Sequence, residues 1–153
     1  MTIDIRADDL SDPATQALAA VHLAGMHAGS PAESVHALDL DGLRDPSVTP
    51  WSAWIRGEIA GIGALKELDA RRGELKSFRT AETHLGRGVA RALLRHVIAA
   101  AADRGMTSLW LETGSDEAFL PARRLYASEG FVECGPFEGY AADPLSTFMS
   151  RTV

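Results

Sequence analysis

Residues 73–104 place a strand-like run, a glycine-punctuated turn and a long amphipathic helix in direct succession, and few folds accommodate that series. Glu74-Leu75-Lys76-Ser77-Phe78-Arg79-Thr80 reads as the strand, and His84-Leu85-Gly86-Arg87-Gly88-Val89-Ala90 as the turn. Ala90, Leu93, Leu94, Val97, Ile98 and Ala101 then recur at i, i+3, i+4, i+7, i+8 and i+11, which puts them on one face of a helix. Arg87, Arg91 and Arg95 follow one another at i+4 spacing along another face. Gly105 suits the position just past the helix, and Arg104 suits the negative end of its dipole.

The turn carries chemistry. A helix start leaves its first backbone N–H groups without intrahelical partners, and the dipole favours an anion there. Gly86, Gly88 and small Ala90 remove the side chains that would keep a bulky phosphate away, and Arg87 adds a positive charge. The turn therefore predicts a phosphate or pyrophosphate at the helix start; the alternative is that the glycines serve the turn alone. No Lys-Ser or Lys-Thr follows the glycines, so this is not a nucleotide-triphosphate P-loop. Gly86-Arg87-Gly88 also lacks the third glycine of a dinucleotide fingerprint.

With 153 residues, 46% of them hydrophobic, the chain has material for a sizeable core and is expected to form a single domain over 1–153. The lone Cys134 cannot form an internal disulfide, which fits a reducing cytosol. Residues 1–9 are acidic and alternating, not a basic leader with an apolar core. No stretch approaches the roughly 20 apolar residues needed to cross a bilayer. A net charge of −6 argues against general nucleic-acid binding. The expectation is a cytoplasmic protein with neither a membrane nor a nucleic-acid partner.

Taken in order, residues 2–6 read as a first strand, with Ile3 and Ile5 on one face. Ser11 or Asp12 caps a helix with Pro13 at its first position, and Leu18, Val21 and Leu23 carry it to about Met26. His22 and His27 lack the i, i+4 spacing of a two-histidine metal helix and read as surface or partly buried residues. No metal site is expected. Residues 30–39 join this helix to a short second one, about 39–44. Residues 49–56 and 58–68 form two strands around Gly57, with Trp51 and Trp54 as packing residues. Gly61 and Gly63 mark a strand where something passes close, or small residues under a helix. Residues 108–112 make the strand after the long helix, with Leu109 and Leu111 on one face. Ala122, Leu125 and Tyr126 share a face of a last helix that Pro121 starts and Gly130 ends; residues 131–137 and 146–151 close the sheet. The fold class is α/β: a mixed sheet of about seven strands with four helices, in the order strand, two helices, three strands, helix, strand, helix, two strands.

Two of these segments resemble one family. Leu85-Gly86-Arg87-Gly88-Val89-Ala90 after a strand is similar to the acetyl-CoA-binding motif Gln/Arg-x-x-Gly-x-Gly/Ala of the GCN5-related N-acetyltransferases (GNATs). Gly88 and Ala90 match it, while Leu85 stands where Gln or Arg is usual. Ala122-Arg123-Arg124-Leu125-Tyr126-Ala127-Ser128-Glu129-Gly130-Phe131 resembles the family's Ala-x-x-Leu-Tyr-x-x-x-Gly-Phe helix and strand. Phe119 stands where the family often has an Asn, and its side chain has no group to make that residue's hydrogen bond to the cofactor. The resemblance covers essentially the whole chain and implies the GNAT fold, β1-α1-α2-β2-β3-β4-α3-β5-α4-β6-β7. Residues 30–39, 73–77 and 111–114 also look like a bacterial branch whose members carry the label indole-3-acetate acetyltransferase.

The resemblance implies an enzyme that transfers an acetyl group from acetyl-CoA directly to a small-molecule amine, such as an amino acid or related metabolite. By that analogy, the backbone of Phe78, Arg79 and Thr80 pairs with the pantetheine amides in a gap between splayed strands. Leu85, Gly86, Arg87, Gly88, Val89, Ala90 and Arg91 hold the pyrophosphate. Glu33, Ser34 and His36 become candidate acceptor contacts, with a solvated loop as the alternative, and the loop 139–144 a candidate cover. Homodimers are common among relatives, so a homodimer is one expectation.

Acetyl transfer to an amine needs a base for the amine proton, a polarised carbonyl and a proton for the departing thiolate. Tyr126 matches the tyrosine that protonates the thiolate in many relatives. Glu112 is the first choice of base, because it ends the strand beside the gap; Glu74, His36 and His84 stand in reserve. Cys134, with no His placed beside it by sequence, reads as a passive thiol rather than a nucleophile. Arg71, Arg72 and Arg79 are candidates for an acceptor carboxylate. Two other classes remain open at this stage: a non-catalytic acyl-CoA-binding or regulatory module, and an interaction domain whose glycines are only structural.

Overall fold

The computed structural model describes residues 1–29, 31 and 36–153. Its elements are β1 (Asp4–Ala7), α1 (Pro13–Gly29), α2 (Leu40–Leu43), β2 (Val48–Ile55), β3 (Glu58–Glu67), β4 (Arg72–Thr80), α3 (Val89–Asp103), β5 (Ser108–Gly114), α4 (Leu120–Ser128), β6 (Val132–Cys134) and β7 (Ser146–Thr152). Short 3-10 turns occupy Glu82–His84 and Glu117–Phe119. This is the expected order of strands and helices.

Local chemistry starts and stops the elements. The Asp12 carboxylate accepts the Ala14 N–H at 2.8 Å and caps α1, whose first residue is Pro13. Asp39 caps α2 by accepting the Gly42 N–H at 2.8 Å. Arg56 and Gly57 both adopt positive φ, 51° and 79°, and make the tight turn between β2 and β3.

The seven strands form one sheet in the order β1-β2-β3-β4-β5-β7-β6. Only β4 and β5 run parallel, as they must when the long helix α3 connects them. On one face, Leu93, Leu94, Val97 and Ala101 of α3 pack with Leu65, Leu75, Leu109, Leu111, Tyr126 and Phe131. On the other, Leu10, Leu18, Ala19 and Leu43 pack with Val48, Ile62, Ala64 and Ala81. Gly61 lets α3 approach: a Cβ there would stand 2.7 Å from Val89 Cγ1 and 3.0 Å from Leu93 Cδ1.

Two expectations shift. Val21 is 57% exposed, so the buried stripe of α1 runs instead through Thr15, Leu18, Ala19 and His22. The sixth strand ends at Cys134 rather than Phe137. Pro136 has no N–H to give a ladder, and Phe137 leaves the strand to pack against the rings of Trp110, Tyr140 and Phe148.

The centre of the sheet is deliberately irregular. Ile62 pairs with Arg79 and Ala64 with Lys76, so Ser77 and Phe78 together oppose the single residue Gly63. This is a β-bulge, and Ser77 takes φ 58° to make it. Gly63 leaves room for the displaced ring: a Cβ there would meet Phe78 at 2.9 Å. On the opposite edge, β4 pairs with β5 only from Arg72↔Ser108 to Glu74↔Trp110. Both strands continue, to Thr80 and Gly114, without pairing to each other. The bulge bends β4 away, and a gap opens between two parallel strands.

Candidate active site

A cavity of about 100 Å³ lies in that gap. Its walls come from β4 (Glu74, Leu75, Lys76, Ser77, Phe78), β5 (Leu111, Glu112, Thr113), α1 (His22, Met26), His36 and Ala37 before α2, and Phe119, Ala122 and Tyr126 around α4. The unpaired edges of β4 and β5 leave backbone N–H and C=O groups available to a ligand that enters the gap.

Glu112 and Tyr126, expected from the sequence to act together, line the same cavity. Burial pushes the Glu112 carboxyl above the ordinary carboxylate range; the Ser146 hydroxyl, His36 and Lys76 pull it partly back, while Glu74 adds to the rise. Tyr126 is buried, with its ring edge-on to Phe131 at 5.8 Å between centroids. Burial, and then the charge of Glu112, raise its phenol well above the usual range, so it keeps its proton at any working pH.

A second cluster crosses the cavity rim. The Tyr140 hydroxyl donates to Glu74 Oε2 at 2.6 Å. Lys76 Nζ donates to Tyr140 Oη at 3.0 Å, to the His36 carbonyl at 3.0 Å and to Glu74 Oε2 at 3.3 Å. The Tyr140 ring meets that of His36 edge-on at 4.8 Å. Burial, then the Glu74 charge and hydrogen bond, push the Tyr140 phenol far above its ordinary value. The loop after β6, whose residues 139–144 the sequence offered as a candidate cover, is thereby anchored at the cavity rim.

A third pair sits behind the α1 wall. Arg79 Nε donates to His22 Nδ1 at 3.1 Å, and Nη2 reaches the His22 carbonyl at 3.4 Å. Burial, with the guanidinium adding to it, pushes the imidazole down to about 4, so His22 is neutral.

Just beyond the Thr80 end of β4 lies the glycine turn. Gly86 and Gly88 hold φ 75° and 79°, and an added Cβ at either would touch nothing within 4 Å. Gly88 is the N-cap of α3 and supplies no side-chain cap, so the helix presents its first N–H groups at an uncluttered surface. Arg87 Nη1 lies 3.2 Å from His84 Nδ1, and Leu85 is exposed. Arg91 and Arg95 both bind Glu129 Oε1, at 2.5 and 2.9 Å, which ties α3 to the end of α4. Bare glycines, an uncapped helix start and unpaired strand edges fit an elongated, phosphate-bearing ligand such as acetyl-CoA.

Several sequence candidates land elsewhere. His84 is buried against Glu58, at 3.1 Å, and does not line the cavity, which removes it as a reserve base. Arg72 is paired with Asp69 and Glu138, and Arg71 is exposed beside it, at the end of β4 remote from the gap. Cys134 is half-buried in β6 and outside the cavity lining. Glu33 and Ser34 lie outside the described residues. Sequence reasoning singled out Arg79 and the loop that carries Tyr140, but missed Lys76, His22 and the contacts that Arg79 and Tyr140 make with them. Phe119 was noticed only as a departure; its ring lies on the bare face of Gly114, where a Cβ would come within 2.1 Å.

Residues 15–131 match the Acetyltransferase (GNAT) family. The chain belongs to this family. An uncharacterised N-acetyltransferase of Escherichia coli is 52% identical over 97% of this chain and 94% of its own length. An IAA acetyltransferase of Azospirillum brasilense is 38% identical over 80% of both chains. Among solved structures, an acyl-CoA N-acyltransferase assigned in Klebsiella pneumoniae superposes with a TM-score of 0.83 at 28% identity, covering 99% of this chain and 97% of the other. The GNAT fold, with its mixed seven-stranded sheet and four helices, is the one described above. GNAT acetyltransferases use acetyl-CoA as donor, and this chain is an acetyl-CoA-dependent N-acetyltransferase. No helix among the described residues is long and apolar enough to cross a membrane.

Proposed function

We propose that this GNAT enzyme transfers the acetyl group directly to a small-molecule amine held in the cavity between β4 and β5. One observation carries the reading: the two parallel strands part after Glu74 and Trp110, and the gap exposes Glu112 and Tyr126 to one cavity.

The donor supplies an activated acetyl carbonyl and a thiolate leaving group. The backbone of Phe78, Arg79 and Thr80 holds its pantetheine arm along the open edge of β4, and a backbone N–H there polarises the carbonyl. The turn from Leu85 to Arg91 holds the pyrophosphate on the first N–H groups of α3. Glu112 takes the proton of the incoming ammonium, directly or through water; its raised carboxyl makes it a stronger base than a solvated one. Tyr126 holds a proton at its hydroxyl and delivers it to the departing sulfur. His36 and Lys76 line the acceptor side, Tyr140 holds both from the rim, and Glu33 and Ser34 are proposed as acceptor contacts. Cys134 lies outside the lining, which supports direct transfer over a cysteine-bound acetyl group.

The Azospirillum relative's name points to indole acetate, but acetylation of a carboxylate yields a reactive mixed anhydride. A carboxylate nucleophile at the transfer position would also have to sit against the Glu112 carboxylate. Calorimetric titration with acetyl-CoA, followed by thiol release across a panel of amines, tests the proposal. Micromolar binding with amine-dependent thiol release supports it; acetyl-CoA binding with no amine accepted overturns it.

A further inference from the structure

Charge is distributed unevenly around the cavity. Glu74 is balanced by Lys76 and by the Tyr140 hydroxyl. Glu112 forms no salt bridge among the described residues. Arg79 forms none either; its hydrogen bonds go to a neutral imidazole nitrogen and a backbone carbonyl. Among the described residues, the cavity therefore keeps one carboxylate without an ion pair on the β5 wall and one guanidinium without an ion pair behind the α1 wall.

The Arg79 contact also fixes how His22 faces the cavity. Arginine only donates, so Nδ1 must accept and the ring proton must sit on Nε2. Nε2 has no protein partner among the described residues, and His22 lines the cavity one turn before Met26. The arrangement uses α1: a Cβ at Gly25 would stand 2.7 Å from Arg79 Nη2, so the glycine leaves room for the guanidinium where it lies along the helix. His22 thus presents an N–H donor with a positive charge behind it, which is a receptor for an anion rather than a base or a metal ligand.

We infer that the acceptor is an amino-acid-like zwitterion whose carboxylate docks on the His22 Nε2–H, with Arg79 as the positioning residue that fixes that ring and supplies the charge behind it. The ammonium then lies toward Glu112, which takes its proton. This rests on the amine reading proposed above and names the class of amine.

The test uses the whole chain and a panel of the protein-forming α-amino acids, their primary amides and their decarboxylated amines. The wild type is expected to prefer the free amino acids. His22→Phe should raise KM for those acceptors by about 10- to 100-fold, the value of a charge-assisted hydrogen bond, while kcat and acetyl-CoA affinity change little. His22→Gln, which retains an N–H, should recover much of the loss, and Arg79→Met should resemble His22→Phe. Equal use of amides and decarboxylated amines by the wild type overturns the inference, as does an equal loss for all three classes in His22→Phe. Calorimetric binding of the same panel to the coenzyme A complex reads the carboxylate contact without turnover. Carboxylate-selective binding that His22→Phe abolishes upholds the contact even where no amine is acetylated, and binding indifferent to the carboxylate overturns it.

Discussion

Tyr140 donates its hydroxyl proton to Glu74 across 2.6 Å, and this contact joins the loop after β6 to the last residue of β4 that pairs with β5. Glu74 sits where the two parallel strands part, so the bond ties the rim of the acceptor cavity to the hinge of the gap. Lys76 completes the cluster from the same strand. Tyr140→Phe leaves a buried carboxylate with one partner fewer and should cost about 1–3 kcal/mol in a urea denaturation series. It should also raise the acceptor KM, because the loop loses its anchor, and leave the affinity for acetyl-CoA unchanged.

Gly88 tests the donor site. Its φ of 79° is strained for any residue with a Cβ, although there is open space in front of it. Gly88→Ala should cost about 1–2 kcal/mol of stability from backbone strain alone. Gly88→Glu adds a negative charge where the pyrophosphate is proposed to lie, so calorimetry should show a further large loss of acetyl-CoA affinity beyond that of the alanine variant. Equal affinity in the two variants would place the phosphates elsewhere.

What the sequence made legible were features that depend on neighbours in the chain. The α3 stripe, the Asp12 cap and the small Gly61 under α3 follow from spacing within one or two elements, whereas Glu112 and Tyr126 were singled out with the help of the family resemblance. The Tyr140–Lys76 bond joins residues 64 positions apart and needs the sheet order before it can be foreseen. The same holds for His22 and Arg79, which are 57 positions apart. Gly25 was the one local hint, a helical glycine three residues after a histidine. The bulge at Ser77 had no such hint, because serine rarely takes positive φ; Gly63 and Phe78 on neighbouring strands must be seen together to explain it.

Tyr126→Phe removes the proposed proton donor and little else, since the ring keeps its edge-on contact with Phe131. The rate of transfer should fall on the order of 10²-fold while acetyl-CoA affinity and stability are nearly retained. Stopped-flow thiol release under saturating acceptor is the direct readout. An unchanged rate would assign the thiolate's proton to solvent.

Glu112→Gln should abolish the acid limb of the pH–rate profile. The wild-type carboxyl must be ionised to accept a proton, so activity should rise with pH through a midpoint above the ordinary carboxylate range. The sign for stability is opposite. A carboxyl whose folded pKa is raised stabilises the fold most when protonated, and that contribution is lost as pH rises through the folded value. At neutral pH, Glu112→Gln should therefore be slowed by about 10²-fold or more yet at least as stable as the wild type, as measured by thermal unfolding.

His22 gives the clearest link between the site and the pH dependence of folding. Its imidazole is pushed down to about 4 from an ordinary 6.5, first by burial and then by Arg79. Above pH 6.5 the ring is neutral in both states and the full stability is present. As pH falls below that, the unfolded chain takes up a proton that the folded chain refuses, and stability declines until the folded ring also protonates near pH 4. The gap corresponds to about 3 kcal/mol across the window. His22→Gln removes the titrating group, so the difference in unfolding free energy between the two proteins should shift in favour of the variant as pH drops from 6.5 to 5. A difference that stays constant over that range would mean that the buried ring charges as readily folded as unfolded, and the neutral, Nε2–H form of His22 would have to be abandoned.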